Sequence, residues 1–347
     1  AGEITFTHVH GRTFKVIITT YVYSPSPADR PDLDISWGDG VVEKIQRTQR
    51  INLENDISYC TYEAYHTYSG NTTYKVSVED PNRNAGVINI PSSINVPFYM
   101  ETTIMVDAFI SNSSPNLQNP PIDNACLNER FIHNPGAFDF DGDSISYELV
   151  MCRGAKGKAI PGYHYPAASG SFDIDSITGD LRWDAPLLQG EYNVAFLIKE
   201  WRYGINISSI TRDMQIKVIA CNNTPPDIST LHETCVRVGD TLRFDVNATD
   251  ADFDSVTLSA TGGPLVLEKN KAVFIKKKNR SHVFSEFVWV PHALHVRKSP
   301  YSVYFKAEDN AEPVRLTDMH TSLIYVIARP PEQFVAVQKE NEVHLSW

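Results

Sequence analysis

One acidic phrase occurs twice in this chain and limits what it can fold into. Phe138-Asp139-Phe140-Asp141-Gly142-Asp143-Ser144 returns as Thr249-Asp250-Ala251-Asp252-Phe253-Asp254-Ser255, each aspartate displaced by 111 residues. Each copy sets three aspartates on alternate positions, then a serine, then alternating apolar residues: Ile145, Tyr147 and Leu149 in one, Val256, Leu258 and Ala260 in the other. That alternation is the period of a half-buried strand. The correspondence continues from Trp183-Asp184-Ala185-Pro186 to Trp289-Val290-Pro291, and from Tyr192 to Phe196 against Tyr301 to Phe305. Two homologous domains of sandwich size therefore lie in tandem, and 347 residues leave room for a third. Twenty-one prolines and eighteen glycines interrupt the chain, and no long helical periodicity survives between them. The expectation is an all-β chain.

Charge and cysteine usage exclude several functions. A formal net charge of −11 does not suit a surface that tracks phosphates, so no nucleic-acid partner is expected. No run of about 18 apolar residues is available to span a bilayer, and Ala1-Gly2-Glu3 lacks the regions of a signal peptide. The chain reads as a mature, soluble segment. Cys60, Cys126, Cys152, Cys221 and Cys235 show neither C-x-x-C spacing nor neighbouring histidines, which favours an oxidising compartment over zinc or redox chemistry. Closeness in sequence predicts Cys126 with Cys152 and Cys221 with Cys235, each within one domain or its approach. Cys60 is then left over, buried or paired elsewhere.

Taken in order, Phe14, Val16, Ile18 and Thr20 share one face of a strand, and Leu33 to Trp37 runs into Gly38-Asp39-Gly40, a tight turn. His66-Thr67-Tyr68 and Tyr74-Lys75-Val76-Ser77-Val78 follow. This set, W-x-D-G, H-x-Y and Y-x-V-x-V, resembles the PKD domain over residues 1 to 97, although Trp37-Gly38-Asp39-Gly40 lacks that family's usual Phe. The resemblance implies a core role for Trp37. Residues 98 to 220 resemble a cadherin-like domain through the aspartates, Phe172-Asp173-Ile174-Asp175, Thr178-Gly179-Asp180-Leu181 and the late strand Tyr192 to Glu200. Asn222-Asn223-Thr224-Pro225-Pro226 resembles a linker between such domains. Residues 221 to 329 repeat the plan more loosely, lacking the T-G-x-L turn. From 330, Phe334 to Val337 and Val343 to Trp347 resemble the opening strands of a fibronectin type III domain, which implies that the natural protein continues. The implied architecture is an elongated array of tandem Ig-like and cadherin-like β-sandwiches.

Together with His133-Asn134-Pro135-Gly136-Ala137-Phe138-Asp139, this order of modules resembles the amino-terminal region of large type 9 secretion (type B sorting domain) surface proteins of gliding bacteria. That implies a secreted, surface-displayed, non-enzymatic protein, with surface or secretion-system proteins or glycans as partners. It also implies O-glycosylation acceptors at Ser144, Ser176, Thr241 and Ser255, each in an Asp-Ser/Thr-apolar triplet.

The chemistry-bearing candidates are few. Asp139, Asp141 and Asp143, and Asp250, Asp252 and Asp254, on curved loops would converge on a hard cation such as Ca²⁺; the alternative is a set of solvated turn aspartates. An EF-hand is excluded, because its sixth position is Ser144 or Ser255 and its twelfth Val150 or Thr261. No G-x-S-x-G, H-E-x-x-H or phosphate-cradling loop occurs, so no catalytic residue is assigned. His8 with His10 lacks a third ligand, and Asp173 with Asp175 reads as turn chemistry. Trp183, Trp289 and Trp201 are expected to be packed, with Trp201 and Tyr203 as the alternative carbohydrate platform. Lys269 to Arg280 is expected to form a solvated hairpin tip. The leading reading is an adhesion or interaction module; the alternatives are a calcium-stiffened spacer and the accessory domains of a secreted polysaccharide-degrading enzyme.

Overall fold

A computed structural model describes all residues except Pro27, Glu54, Asn55, 279–282, Pro313, 331–334 and Trp347. The all-β expectation holds: tandem β-sandwiches account for nearly all the regular structure. No helix among the described residues is long and apolar enough to cross a membrane.

Seven strands build the first sandwich: β1 (Gly2–His10), β2 (Thr13–Tyr23), β3 (Asp32–Ser36), β4 (Val42–Asn52), β5 (Ile57–Thr67), β6 (Thr72–Asp80) and β7 (Phe98–Val106). Their alternating faces meet in one core, with Phe14, Ile18, Ile35, Trp37, Val76 and Ile104 fully buried. The two halves of the W-x-D-G and H-x-Y pattern close on each other here. His66 stacks on Trp37 at 4.6 Å between ring centroids and bonds Asp39 Oδ2 at 2.7 Å, while the Tyr68 hydroxyl donates to the Trp37 carbonyl. Gly38 is required at that turn. Its φ is +84°, and a Cβ would lie 2.5 Å from the Lys75 carbonyl oxygen.

The expected boundary at residue 98 is displaced. β7 pairs with β6 over its whole length and sends Phe98, Met100, Ile104 and Val106 into the first core, so that core extends to Val106. Beyond β7 the first two domains share one sheet. The long strand Ile205–Ile219 pairs along one edge with Gly190–Arg202. Its other edge receives β7 at Ser208–Ile210, β1 at Asp213 and the parallel strand Ile122–Cys126 at Gln215–Ile219. Both outer strands of the first sandwich thus meet the Ile205–Ile219 strand, β7 over three residues and β1 at Gly2. A buried ion pair crosses the same seam, Arg83 to Asp213 at 2.7 Å with both side chains 1% exposed, and Arg212 bonds Glu3 beside it.

The second core gathers Phe131, Tyr147, Leu181, Trp183, Tyr192 and Phe196 around the Gly190–Arg202 strand. The third domain is a sandwich of two four-stranded sheets whose core includes Val246, Phe287, Trp289, Val303 and Phe305. Phe138, from the second domain's chain, is also part of that third core. The Tyr304 hydroxyl donates to the Ala137 carbonyl at 2.9 Å, and Thr321 donates to Asp180 at 2.7 Å.

The predicted cysteine pairing is overturned. Cys126 is bonded to Cys221, while Cys152 and Cys60 are buried thiols and Cys235 an exposed one. The cause is register: the parallel pairing sets Cys126 opposite Ile219, two residues before Cys221, whereas Cys152 is packed in another cluster with Ile160 and Tyr163. The disulfide lies against Val314 and Leu316 of the third domain. The three consecutive lysines 276–278 fall on a strand, Val273–Lys278, with Lys277 paired to Glu286, and the tip at 279–282 lies outside the described residues. Val335–Lys339 and Glu342–Ser346 form an antiparallel hairpin where two strands are expected; Phe334 and Trp347 lie outside the described residues.

Candidate metal centre

Each aspartate phrase curls between two strands, and the curl brings its first and third aspartates together. Gly142 takes φ +89° in the first copy, and Phe253 takes φ +65° at the corresponding place in the second. The first aspartate of each loop fastens it: Asp139 Oδ1 accepts the Asp143 amide at 2.7 Å, and Asp250 Oδ1 accepts the Asp254 amide at 3.1 Å.

In the second domain Asp139 and Asp143 converge with a residue that the aspartate spacing does not reveal. Glu200, from the end of the Gly190–Arg202 strand, joins them, and their carboxylate oxygens lie within 4.8 Å of one another. Asp139 is 2% exposed and Glu200 is wholly buried. Glu200 Oε2 accepts from the Asn112 side chain at 3.2 Å and from the Ser208 hydroxyl. Asp139 Oδ2 and Glu200 Oε1 have no partner at all. Burial, and then the facing Asp139, push the Glu200 carboxyl up to about 10, and burial also raises Asp139. Two buried carboxyls with bare oxygens toward each other either share a proton or, when both are ionised, need a cation between them.

Asp141 does not join the cluster. It is exposed, and its Oδ2 accepts the Ser113 amide at 2.7 Å, which ties the aspartate loop to the 107–115 loop. Asp143 is held by a guanidinium: Arg202 reaches its two oxygens at 2.7 and 2.6 Å, the Asn112 side-chain oxygen at 2.9 Å and the Ser111 carbonyl at 2.9 Å.

The third domain repeats this network atom for atom in several places. Asp250, Asp252 and Asp254 lie together. Thr224 donates its amide to Asp252 Oδ2 at 2.7 Å as Ser113 does to Asp141. The Asn223 side chain donates to Asp309 at 2.8 Å as Asn112 does to Glu200. Asp250 Oδ2 is again without a partner. Desolvation, then the charges of Asp250, Asp309 and Asp252, raise Asp254. The signal for these additional members was present in the sequence: Asn112 and Asn223 share the 111-residue offset, and Glu200 and Asp309 occupy the same place after the repeated late strands.

A cation fits this chemistry. The donors are all oxygen, the buried ones lack partners, and the two loops are closed by their own amide bonds; calcium accepts such sets in flexible geometry. Zinc would prefer nitrogen or sulfur ligands, which are absent among the described residues of both clusters.

Other predicted positions are placed as follows. Ser144, Ser176, Thr241 and Ser255 are all exposed. His8 bonds Gly11 and Ser111. Asp175 caps a turn through the Ile177 and Thr178 amides. Trp183 and Trp289 are core residues, and Trp201 is half-buried with its indole N–H donating to Ser146. Tyr203 is 98% exposed at the hairpin tip.

No family model matches the chain, and no curated protein matches it. Among solved structures it is similar to titin Ig tandem domains A164-A165 (12% identity, 63% of this chain and all of that one, TM-score 0.21). It is similar to the tandem Ig repeats of Dlar (12% identity, 62% of this chain and 99% of that one, TM-score 0.26). It is also similar to zebrafish RET cadherin-like domains 1 to 4 (12% identity, 87% of this chain and 70% of that one, TM-score 0.20). At that level of superposition none of them bears on what this chain does.

Proposed function

We propose that this chain is part of an exported, surface-displayed adhesion or interaction protein of the gliding-bacterium type, whose binding loops are ordered by calcium. The observation that carries the reading is the duplicated acid cradle with its bare buried oxygens, Asp139 Oδ2 and Glu200 Oε1 in one copy and Asp250 Oδ2 in the other. A cation there would draw the aspartate loop, the segment before it and the end of the late strand together. Those loops also carry exposed aromatic side chains: Phe109 at 94%, Tyr203 at 98% and Phe253 at 94%. Exposed aromatics beside polar groups suit recognition of another surface. The Cys126–Cys221 bond supports export into an oxidising space.

The test is binding of residues 1–347 to glycan arrays and to whole cells, with calcium and with chelator. The proposal expects binding that needs calcium and is lost in Tyr203→Ala or Phe253→Ala; calcium-independent binding refutes it. The spacer reading is favoured by one observation, the continuous Ile205–Ile219 strand that fixes two domains in one sheet. Absence of binding in every condition would leave that reading in its place.

A further inference from the structure

One difference between the two cradles defines a site. In the second domain Arg202 reaches four acceptors: both Asp143 oxygens, the Asn112 side-chain oxygen and the Ser111 carbonyl. Counted from the repeated late strands, the residue that answers to Arg202 in the third domain is Ala311. The residues that answer to the arginine's partners are Asp254, Asn223 and Asn222. These residues, Ala311 and Glu312 together line a polar cavity. The arginine's place in one domain is therefore a hollow in the other.

The acceptors around that hollow remain poised. Asn223 is 8% exposed, and its amide orientation is fixed, because its nitrogen donates to Asp309 at 2.8 Å and to the Val314 carbonyl at 3.3 Å. Its oxygen is thereby turned away from them and has no partner. The matching oxygen of Asn112 accepts from Arg202. Among the described residues no lysine or arginine pairs with Asp254. Where the second domain supplies its own positive charge, the third lines the corresponding space with Asp254, Glu312, Asn222 and Asn223.

We propose that this cavity is an outer calcium site, held by Asp254, Glu312, the side-chain oxygen of Asn223 and the main-chain carbonyl of Asn222, in the position that Arg202 fills in the second domain. The proposal deepens the calcium reading of the acid cradles and rests on it. An all-oxygen set with two carboxylates suits a hard divalent ion that tolerates irregular geometry, and its open side would leave coordination positions to water or to a bound ligand. The second domain, by contrast, would hold calcium only at its inner Asp139–Glu200 position.

The test is crystallographic, on the full chain grown in millimolar calcium chloride, with the ion located by anomalous scattering. The expected result is a metal peak among Asp254, Glu312 and Asn223 in the natural sequence. That peak should vanish in Ala311→Arg, whose guanidinium would take the ion's place. Arg202→Ala should in turn gain a peak beside Asp143. Should Ala311→Arg not fold, Asp254→Asn with Glu312→Gln serves instead, and the outer peak must again be lost. A cavity holding only water while the inner cradles carry metal overturns the outer site and leaves the inner reading intact. Metal in the cavity with the inner cradles bare sustains the outer site and ends the inner reading. Water throughout overturns both.

Discussion

Phe138→Ala is expected to unfold the third domain more than the second, although residue 138 belongs to the second domain's chain. Its ring is 4% exposed and lies among the third domain's core residues, with Tyr301 stacked at 6.3 Å and the Arg297 guanidinium over it at 5.7 Å. The third domain makes room for it with a glycine: a Cβ on Gly263 would lie 2.3 Å from Phe138 Cε2. Truncating a buried phenylalanine costs about 3 to 5 kcal/mol, the lost transfer energy plus the cavity left behind. For a domain of this size each kcal/mol shifts the melting temperature by about 4 to 8 °C, so the third-domain transition should fall by about 12 °C or more. Calorimetry on the full chain would measure the transition, and limited proteolysis with mass spectrometry would identify the domain that opens. Gly263→Ala, which pushes on the ring from the other side, should lower the same transition. A loss below about 1 kcal/mol, or a fall confined to the second domain, would refute the insertion of Phe138 as a structural link.

Four further outcomes follow from the described contacts. Replacing Cys126 and Cys221 with alanine removes a bond between residues 95 apart and should cost about 4 to 5 kcal/mol in denaturant titration, because a long loop is released in the unfolded chain. In the natural protein Cys235 alone should react quickly with a thiol reagent, Cys60 and Cys152 only after unfolding; labelling of Cys221 without prior reduction would count against the assigned pairing. Asp213→Asn leaves Arg83 buried without its counter-charge and should destabilise the chain by about 3 to 5 kcal/mol, read from chemical unfolding. His133 is buried beside Asp123 and faces the more distant charges of Arg212 and Lys306; burial holds its protonation below the ordinary 6.5 despite Asp123. The folded chain thus favours neutral His133. Its contribution is present above pH 6.5 and is lost as pH falls through the depressed value, so His133→Gln should flatten the fall in melting temperature between pH 7 and 5.

What the sequence discloses, and what it conceals, follows from the range of each interaction. The aspartate repeat, the half-buried strands and the core tryptophans are local patterns, and Trp37, Trp183 and Trp289 are buried as their contexts imply. The participation of Glu200 with Asp139 depends on the register of two strands more than fifty residues apart, which no local pattern encodes. The same holds for Cys126: closeness in sequence points to Cys152, and a parallel strand pairing carries it to Cys221. β7 reads as a strand from its alternation, but alternation does not say which of two cores its apolar face enters. The two repeats disclose more together than either does alone, since Asn112, Asn223, Glu200 and Asp309 stand at matching positions and carry matching hydrogen bonds.

The central claim is that the buried acid cradles are cation sites, and calcium titration of metal-stripped residues 1–347, followed by thermal unfolding, tests it most directly. With an affinity of about 10⁻⁴ to 10⁻³ M, as extracellular modules show, 10 mM calcium should stabilise the second domain by about 1.4 to 2.7 kcal/mol. Asp139→Asn with Glu200→Gln, which keeps the shapes and removes the charges, should melt high without calcium and gain nothing when it is added. A natural chain indifferent to 10 mM calcium, or a double variant that responds as the natural chain does, would contradict the account.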